Sequence, residues 1–241
     1  MPKLGLGTGI GRSGIVTPGV VTDNLVMKHM YPAGAVQPLS DGALHLDTAG
    51  DYVTVSETTL SVHDVAHSFS FWINLIDIGS WQPIFGSDDA FYNMLAIDQE
   101  NDRIVIEGDT DADNIQWDTI DDPIPLNTWN HFAICTDGAG SAKGYQNGVE
   151  MTIINDTIGT DLVFTYIGRG ASYYLGGYLC NIGIWERQLT QAEVKSIMWK
   201  RYADLTTSES TSILHWWAMD EGTGTTANDS KGSLDGSATF T

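Results

Sequence analysis

Basic residues are scarce. The chain of 241 residues carries 11 Lys and Arg against 31 Asp and Glu, for a formal net charge of -20. A field of that sign repels phosphate backbones and anionic lipid, which excludes nucleic acid as a main partner. Cysteine is scarcer still. Cys135 and Cys180 cannot build a disulfide framework, and each sits in an apolar, strand-like run, so two buried, reduced thiols are expected. No apolar run reaches the roughly 18 residues of a membrane-spanning helix. The opening MPKLGLGTGIGRSG lacks the apolar stretch of a secretory leader. That predicts synthesis in the cytoplasm, with any release by a route that needs no leader, such as inside an assembled particle.

What is present is β-rich. Hydrophobic residues make up 42%, a globular share, and the length suits one large β domain. Residues 1–24 are rich in Gly, Thr and Ser, with scattered apolar positions such as Leu4, Ile10 and Val20. They predict an extended N-terminal arm, either a disordered tail or a segment that orders on a neighbouring subunit. Residues 25–241 then form the domain. From Ala43 the pattern has period two. Ala43–Leu46 and Tyr52–Val55 read as a strand pair around the turn Thr48–Asp51. The aromatic, β-branched run Phe69–Leu75 is the strongest strand signal. Further strands are expected at Pro83–Phe85, Met94–Asp98, Arg103–Glu107, Ile115–Thr119, Asn130–Thr136, Lys143–Gln146, Glu150–Ile154, Phe164–Gly168 and Tyr178–Trp185. Asn147-Gly148 is a two-residue hairpin signal, because both positions tolerate positive φ. One helix is predicted over about residues 191–203: Thr190 caps it, Glu193 completes a capping box, and Val194, Ile197, Met198 and Tyr202 mark one face. The fold class is therefore all-β, a two-sheet antiparallel jelly-roll sandwich with one short helix and an N-terminal arm.

The motifs carry a resemblance. Ala43–Asp47 with Gly50–Val53, the run Ser68–Asn74, Trp129–Ala133 with Tyr145–Gly148, and Ile167–Arg169 followed by Ile184–Thr190 together resemble the LamG-like group of the concanavalin A-like lectin/glucanase superfamily. Leu214–Thr226 resembles a segment that commonly opens such domains, yet here it closes the chain. It either folds back into the same sandwich or adds to an edge while residues 24–47 supply the first strand. The Gly-rich start, the segment Asp23–Leu46 and Trp216-Trp217 are similar in style to proteins of tailed bacteriophages. That implies a non-enzymatic virion protein, a capsid decoration or a tail or fibre appendage, whose partners are other virion subunits and further copies of itself. The alternative is a carbohydrate-binding module for host-surface glycans, with or without Ca²⁺. A degraded glycosidase comes third.

Candidate sites follow from both readings. Glycosidases of this superfamily carry paired acids on one strand in an E-x-D-x-x-E arrangement, which aims two carboxylates into one cleft. This chain has no such run, and its six histidines are dispersed, so no catalytic residue is assigned. His131 reads as a packed strand residue. Asp109, Asp111 and Asp113 alternate, but Asn114 and Ile120 stand where an EF-hand needs Gly and Glu. A solvated loop is the reading there. The resemblance instead implies a Ca²⁺ site from Asp47, Asp51, Asp220, Asn228 and Asp229. The competing reading is that Asp220 and Asp229 only make Asx-turn hydrogen bonds. For sugar binding, Trp81, Trp117, Tyr173 and Tyr174 lie nearer loops and are the candidates to stack on pyranose rings, whereas Trp72, Trp129 and Trp185 belong to the core.

Overall fold

The computed structural model describes residues 37–241, apart from residues 48–49, 78, 80, 89–92, 109–113, 122, 158 and 160. The proposed arm, residues 24–36 of the alternative first-strand segment 24–47, and the Asp109–Asp113 triplet lie outside the described residues.

Among the described residues, two antiparallel sheets and one small ribbon account for the strands. The seven-stranded sheet runs Leu44–Leu46, Gly177–Trp185, Ser68–Leu75, Trp129–Thr136, Ala142–Gln146, Val149–Glu150, with Ile213–Trp217 also paired to Gly177–Trp185. The nine-stranded sheet runs Thr152–Thr157, Asn114–Asp118, Arg103–Glu107, Met94–Asp98, Trp81–Gly86, Leu162–Ile167, Tyr52–Leu60, Gly236–Thr239, Thr226–Ala227. Apolar residues from both inner faces interdigitate in one core that includes Phe71, Ile73, Phe85, Ile97, Ile106, Phe132 and Phe164. This is the expected sandwich.

Ser68–Leu75 and Trp129–Thr136 are buried along their whole length rather than on alternate residues. The cause is a second apolar layer on the outer face. The helix Gln191–Ile197 presents Val194 and Ile197 to Trp185, Tyr145 and Trp216 there. Trp72 Nε1 donates to Met198 O at 2.9 Å. The outward-facing polar residues of these strands find partners inside this layer: Ser68 Oγ donates to Arg187 O at 2.8 Å and accepts from Leu189 N at 2.9 Å. Both thiols are free and buried, and burial pushes Cys135 up to about 11.

Three local expectations are corrected, and an alternative left open is decided. Ala43–Leu46 and Tyr52–Val55 do not pair with each other. Leu44–Leu46 pairs with Gly177–Leu179, while Tyr52–Leu60 lies in the other sheet. Glu150–Ile154 is not one strand. Val149–Glu150 closes the first sheet, the buried Met151 turns the corner, and Thr152–Thr157 joins the second. The helix stops at Ile197 instead of residue 203. Its capping box is present, but Lys200 turns away to place its ammonium on the Glu209 carboxylate at 2.6 and 2.7 Å, and Tyr202–Asp204 forms a separate 3₁₀ turn. The closing segment folds into the same sandwich and touches both sheets: Ile213–Trp217 extends one and Gly236–Thr239 pairs with Tyr52–Thr54 in the other.

Candidate functional site

The strand Trp81–Gly86 carries a bulge between Pro83 and Phe85 in its pairing with Met94–Asp98. Proline has no N–H for the ladder, which favours a bulge there. A ribbon, Arg169–Gly170 paired with Tyr173–Tyr174, lies flat on this strand. The approach is close: a side chain at Gly86 would meet Gly170 Cα at 2.6 Å. Ala171 N donates to Ser87 O at 2.7 Å and Leu175 N to Gly168 O at 2.9 Å, which pins both ends of the ribbon. The result sets Tyr173 beside Trp81, with ring centroids 6.4 Å apart.

A cleft of about 280 Å³ opens at this place, and Trp81, Tyr173 and Tyr174 line it together with Asp47, Asp77 and Gln82. All three rings are half-buried. Gln82 is buried and acts as a brace. Its Oε1 accepts from Gly176 N at 2.8 Å, and its Nε2 donates to Gly79 O at 3.4 Å. Gly176 allows the rim to close, because a Cβ there would meet Asp77 Cβ at 2.9 Å.

Behind the cleft stands an aromatic group. The Arg169 guanidinium lies over Tyr166 at 4.2 Å, Tyr52 at 5.0 Å and Tyr174 at 5.7 Å, and it pairs with Asp88, which also accepts from Tyr166 Oη at 2.6 Å. Cation–π attraction of this kind, worth about 0.5–2 kcal/mol per contact, holds the Tyr174 ring in place. The Asp88 hydrogen bond pushes the Tyr166 phenol up from its ordinary range.

Three of the four predicted aromatics, Trp81, Tyr173 and Tyr174, therefore share one cleft. Trp117 does not. It is 0% exposed in the strand Asn114–Asp118, inside the core against Gly144 and Met151. Its alternation with Gln116 and Asp118 points it inward, and that overrides its nearness to a loop. Sequence reasoning missed Asp77, Gln82 and Gly176.

The proposed Ca²⁺ ligands are not gathered into one cage. Among the described residues, no group of three or more His, Cys, Asp or Glu stands close enough to hold a metal ion. Asp51 is fully buried and accepts from Thr241 N at 2.9 Å and Asp47 N at 3.4 Å, tying the chain end to the turn before Tyr52. Asp229 is a hub for its own loop. It accepts from Trp216 N, Lys231 N, Gly232 N and Leu234 N at 2.9–3.1 Å, and His215 Nδ1 lies 2.6 Å away. Burial alone would raise the Asp229 carboxyl, but the Gly232, His215, Trp216 and Leu234 hydrogen bonds outweigh it and hold it below the usual range. Asn228 is occupied by Glu221 Oε1, at 2.6 and 3.1 Å, and the Asp220 backbone packs against Gly42. These carboxylates do turn-forming work.

Asp47 and Asp77 are the two acids of the cleft, and both are exposed to solvent.

Comparison with known proteins agrees with the architecture. A crystal structure of a candidate carbohydrate binding protein from Bacteroides ovatus matches with 19% identity and a TM-score of 0.57, over 82% of this chain and 59% of that one. The chain thus spans about three fifths of that relative. The CBM40 domain of Ruminococcus gnavus IT-sialidase, bound to α2,3 sialyllactose, matches with 12% identity and a TM-score of 0.46, over 68% of this chain and all of that one. A heptameric SAP-like pentraxin from Limulus polyphemus matches with 12% identity and a TM-score of 0.42, over 64% and 83% of the two chains. At 19% identity the likeness to the Bacteroides ovatus structure is one of fold. No curated protein matches the chain. Residues 47–195 match the Laminin_G_3 family, and over that span, more than half its length, the chain belongs to the concanavalin A-like lectin/glucanases superfamily.

Proposed function

We propose that the domain is a non-catalytic carbohydrate-binding module and that the cleft beside Trp81 is its site. One observation carries the reading: three rings from two separate elements, Trp81 and the ribbon pair Tyr173-Tyr174, converge on one cavity beside the exposed carboxylates of Asp47 and Asp77. Pyranose rings present apolar C–H faces and a rim of hydroxyls. Aromatic planes suit the first, and carboxylate groups suit the second. The Bacteroides ovatus relative, described for carbohydrate binding, supports the same direction. The virion role draws no support from the relatives, and the same holds for assembly with virion subunits or with further copies of this chain.

Isothermal titration against a glycan panel tests the site. Trp81→Ala and Tyr173→Ala should each weaken binding about tenfold or more, equivalent to about 1.4 kcal/mol. Trp117→Phe should leave affinity unchanged while lowering stability. Sugar binding that persists at full strength in both cleft variants would place the site elsewhere.

A further inference from the structure

The cleft has a neighbour. A second cavity of about 290 Å³ lies on the other side of Gly79, and Gly79 is common to both. Its lining joins apolar Pro123, Ile124, Pro125 and Leu126 to polar Gln99, Glu100 and Asp102. Each cavity alone falls just short of the roughly 300–1,000 Å³ range of ligand pockets. Two such spaces that share a residue without a side chain lie next to each other, and a ligand crossing Gly79 would use them as one groove with two compartments. Gly79 cannot readily grow a barrier there. A Cβ would meet Gln82 Nε2 at 2.7 Å, and Gln82 is fixed by its bonds to Gly176 and Gly79.

The groove also has one sign of charge. Asp47 and Asp77 line the first compartment and Glu100 and Asp102 the second, and among the described residues no Lys or Arg lines either. The arginines on neighbouring strands are held by acids: Arg103 by Asp118 at 3.7 Å and Arg169 by Asp88. The rest of the chain adds to the field, with a net charge of -20. Like charge in a concave, partly apolar site is a means of rejecting the wrong ligand.

We infer that the groove selects neutral or amino-bearing glycan chains at least two sugar units long, and rejects sialylated and uronic-acid glycans. The inference rests on the carbohydrate-binding reading above. One unit stacks on Trp81 and Tyr173, and the next crosses Gly79 onto the proline-rich lining. The four carboxylates accept hydroxyl or ammonium hydrogens and repel a sugar carboxylate.

The test is titration of the full chain with neutral monosaccharides and trisaccharides of glucose, mannose and N-acetylglucosamine, with glucosamine trisaccharide, and with sialyllactose and trigalacturonic acid. The expected result is at least one neutral or amino trisaccharide bound tenfold or more above its monosaccharide. Both acidic sugars should bind tenfold or more below that trisaccharide. Raising salt to about 0.5 M should shrink the gap to the acidic sugars, because exposed charges are screened. The double variant Asp47→Asn with Asp77→Asn should shrink it too, with an unchanged melting midpoint confirming that it folds. Acidic sugars binding as well as neutral ones would overturn the charge selection while leaving carbohydrate binding intact. A monosaccharide as tight as its trisaccharide would overturn the two-compartment groove. Binding by no member of the panel would overturn the carbohydrate reading itself, and this inference with it.

Discussion

His131 gives the fold a pH dependence that can be worked out in advance. It sits in the middle of Trp129–Thr136, 1% exposed, between the two apolar layers. Ser70 Oγ is 2.8 Å from its Nε2, the Trp72 ring is edge-on at 5.2 Å, and Nδ1 is buried without a hydrogen-bond partner. A second proton on this ring would be an uncompensated buried charge. Burial pushes His131 down from 6.5 to about 3. The unfolded chain protonates at the ordinary value. Between pH 6.5 and 3 the unfolded state therefore holds a proton that the native state refuses, so stability falls as pH drops through 6.5 and levels off near 3. Each pH unit inside that window costs about 1.4 kcal/mol, or about 2 kcal/mol between pH 6.5 and 5.0. His67, also lowered by burial, adds in the same direction. The assay is urea unfolding at pH 7.5 and 5.0 for the wild type and His131→Gln. The glutamine amide can still reach Ser70 and does not titrate. The variant starts less stable, yet it should lose about 2 kcal/mol less than the wild type between the two pH values. Exposed carboxylates contribute equally to both proteins and cancel in the comparison. Equal losses would refute the assignment of a buried, neutral imidazole.

The other predictions concern the turns and the cleft. Asp229→Asn puts an amide against backbone N–H groups at the hub of residues 215–234 and should cost about 2–3 kcal/mol in chemical denaturation, while EDTA should leave the wild-type melting midpoint where it is. A midpoint lowered by EDTA would instead return a structural cation to this region. Burial alone would raise Glu209, but the Lys200, Ser196 and Thr206 hydrogen bonds outweigh it and hold it down to about 2. Its contribution, about 3 kcal/mol, is present above pH 4.5 and is lost as pH falls towards 2. Glu209→Gln should remove about that much at pH 7 and flatten the acid limb below pH 4.5 in a melting series. Gly176→Ala forces the rim away from Asp77 and should weaken glycan binding severalfold in titration, with a small effect on the melting midpoint.

The local code of this chain was readable to the extent that it is local. Met94–Asp98 and Arg103–Glu107 fall where apolar runs between Asn and Asp clusters put them. Asn147 and Gly148 take φ of 52° and 77°, as the hairpin signal requires, and Thr190 with Glu193 closes the capping box. Partnership was not readable. Period two says that Ala43–Leu46 and Tyr52–Val55 are extended, but it suits a hairpin and a placement in opposite sheets equally well. The burial of neighbouring strands decides between the two. The helix end was hidden for a related reason, since Lys200 leaves the helical path to reach an acid nine residues on.

The cleft shows where such reading stops and why. Tyr173 and Tyr174 stand out because Gly170, Gly176 and Gly177 surround them, and a glycine-flanked aromatic pair has few ways to be core. Trp117 carried a contrary signal in its own strand: Ile115 and Trp117 alternate with Gln116 and Asp118, so the indole had to face inward. Asp77 and Gln82 carried none. Gln82 in a strand reads as an outward polar residue, and its role exists only because Gly176, 94 residues later, arrives within 2.8 Å of its side chain. The bulge beside Pro83 and the ribbon from Arg169 to Tyr174 jointly create that meeting. A binding surface assembled this way depends on backbone approach more than on side-chain identity. Adding one methyl group at Gly176 or Gly79 should therefore damage recognition more than removing the Asp77 carboxylate does.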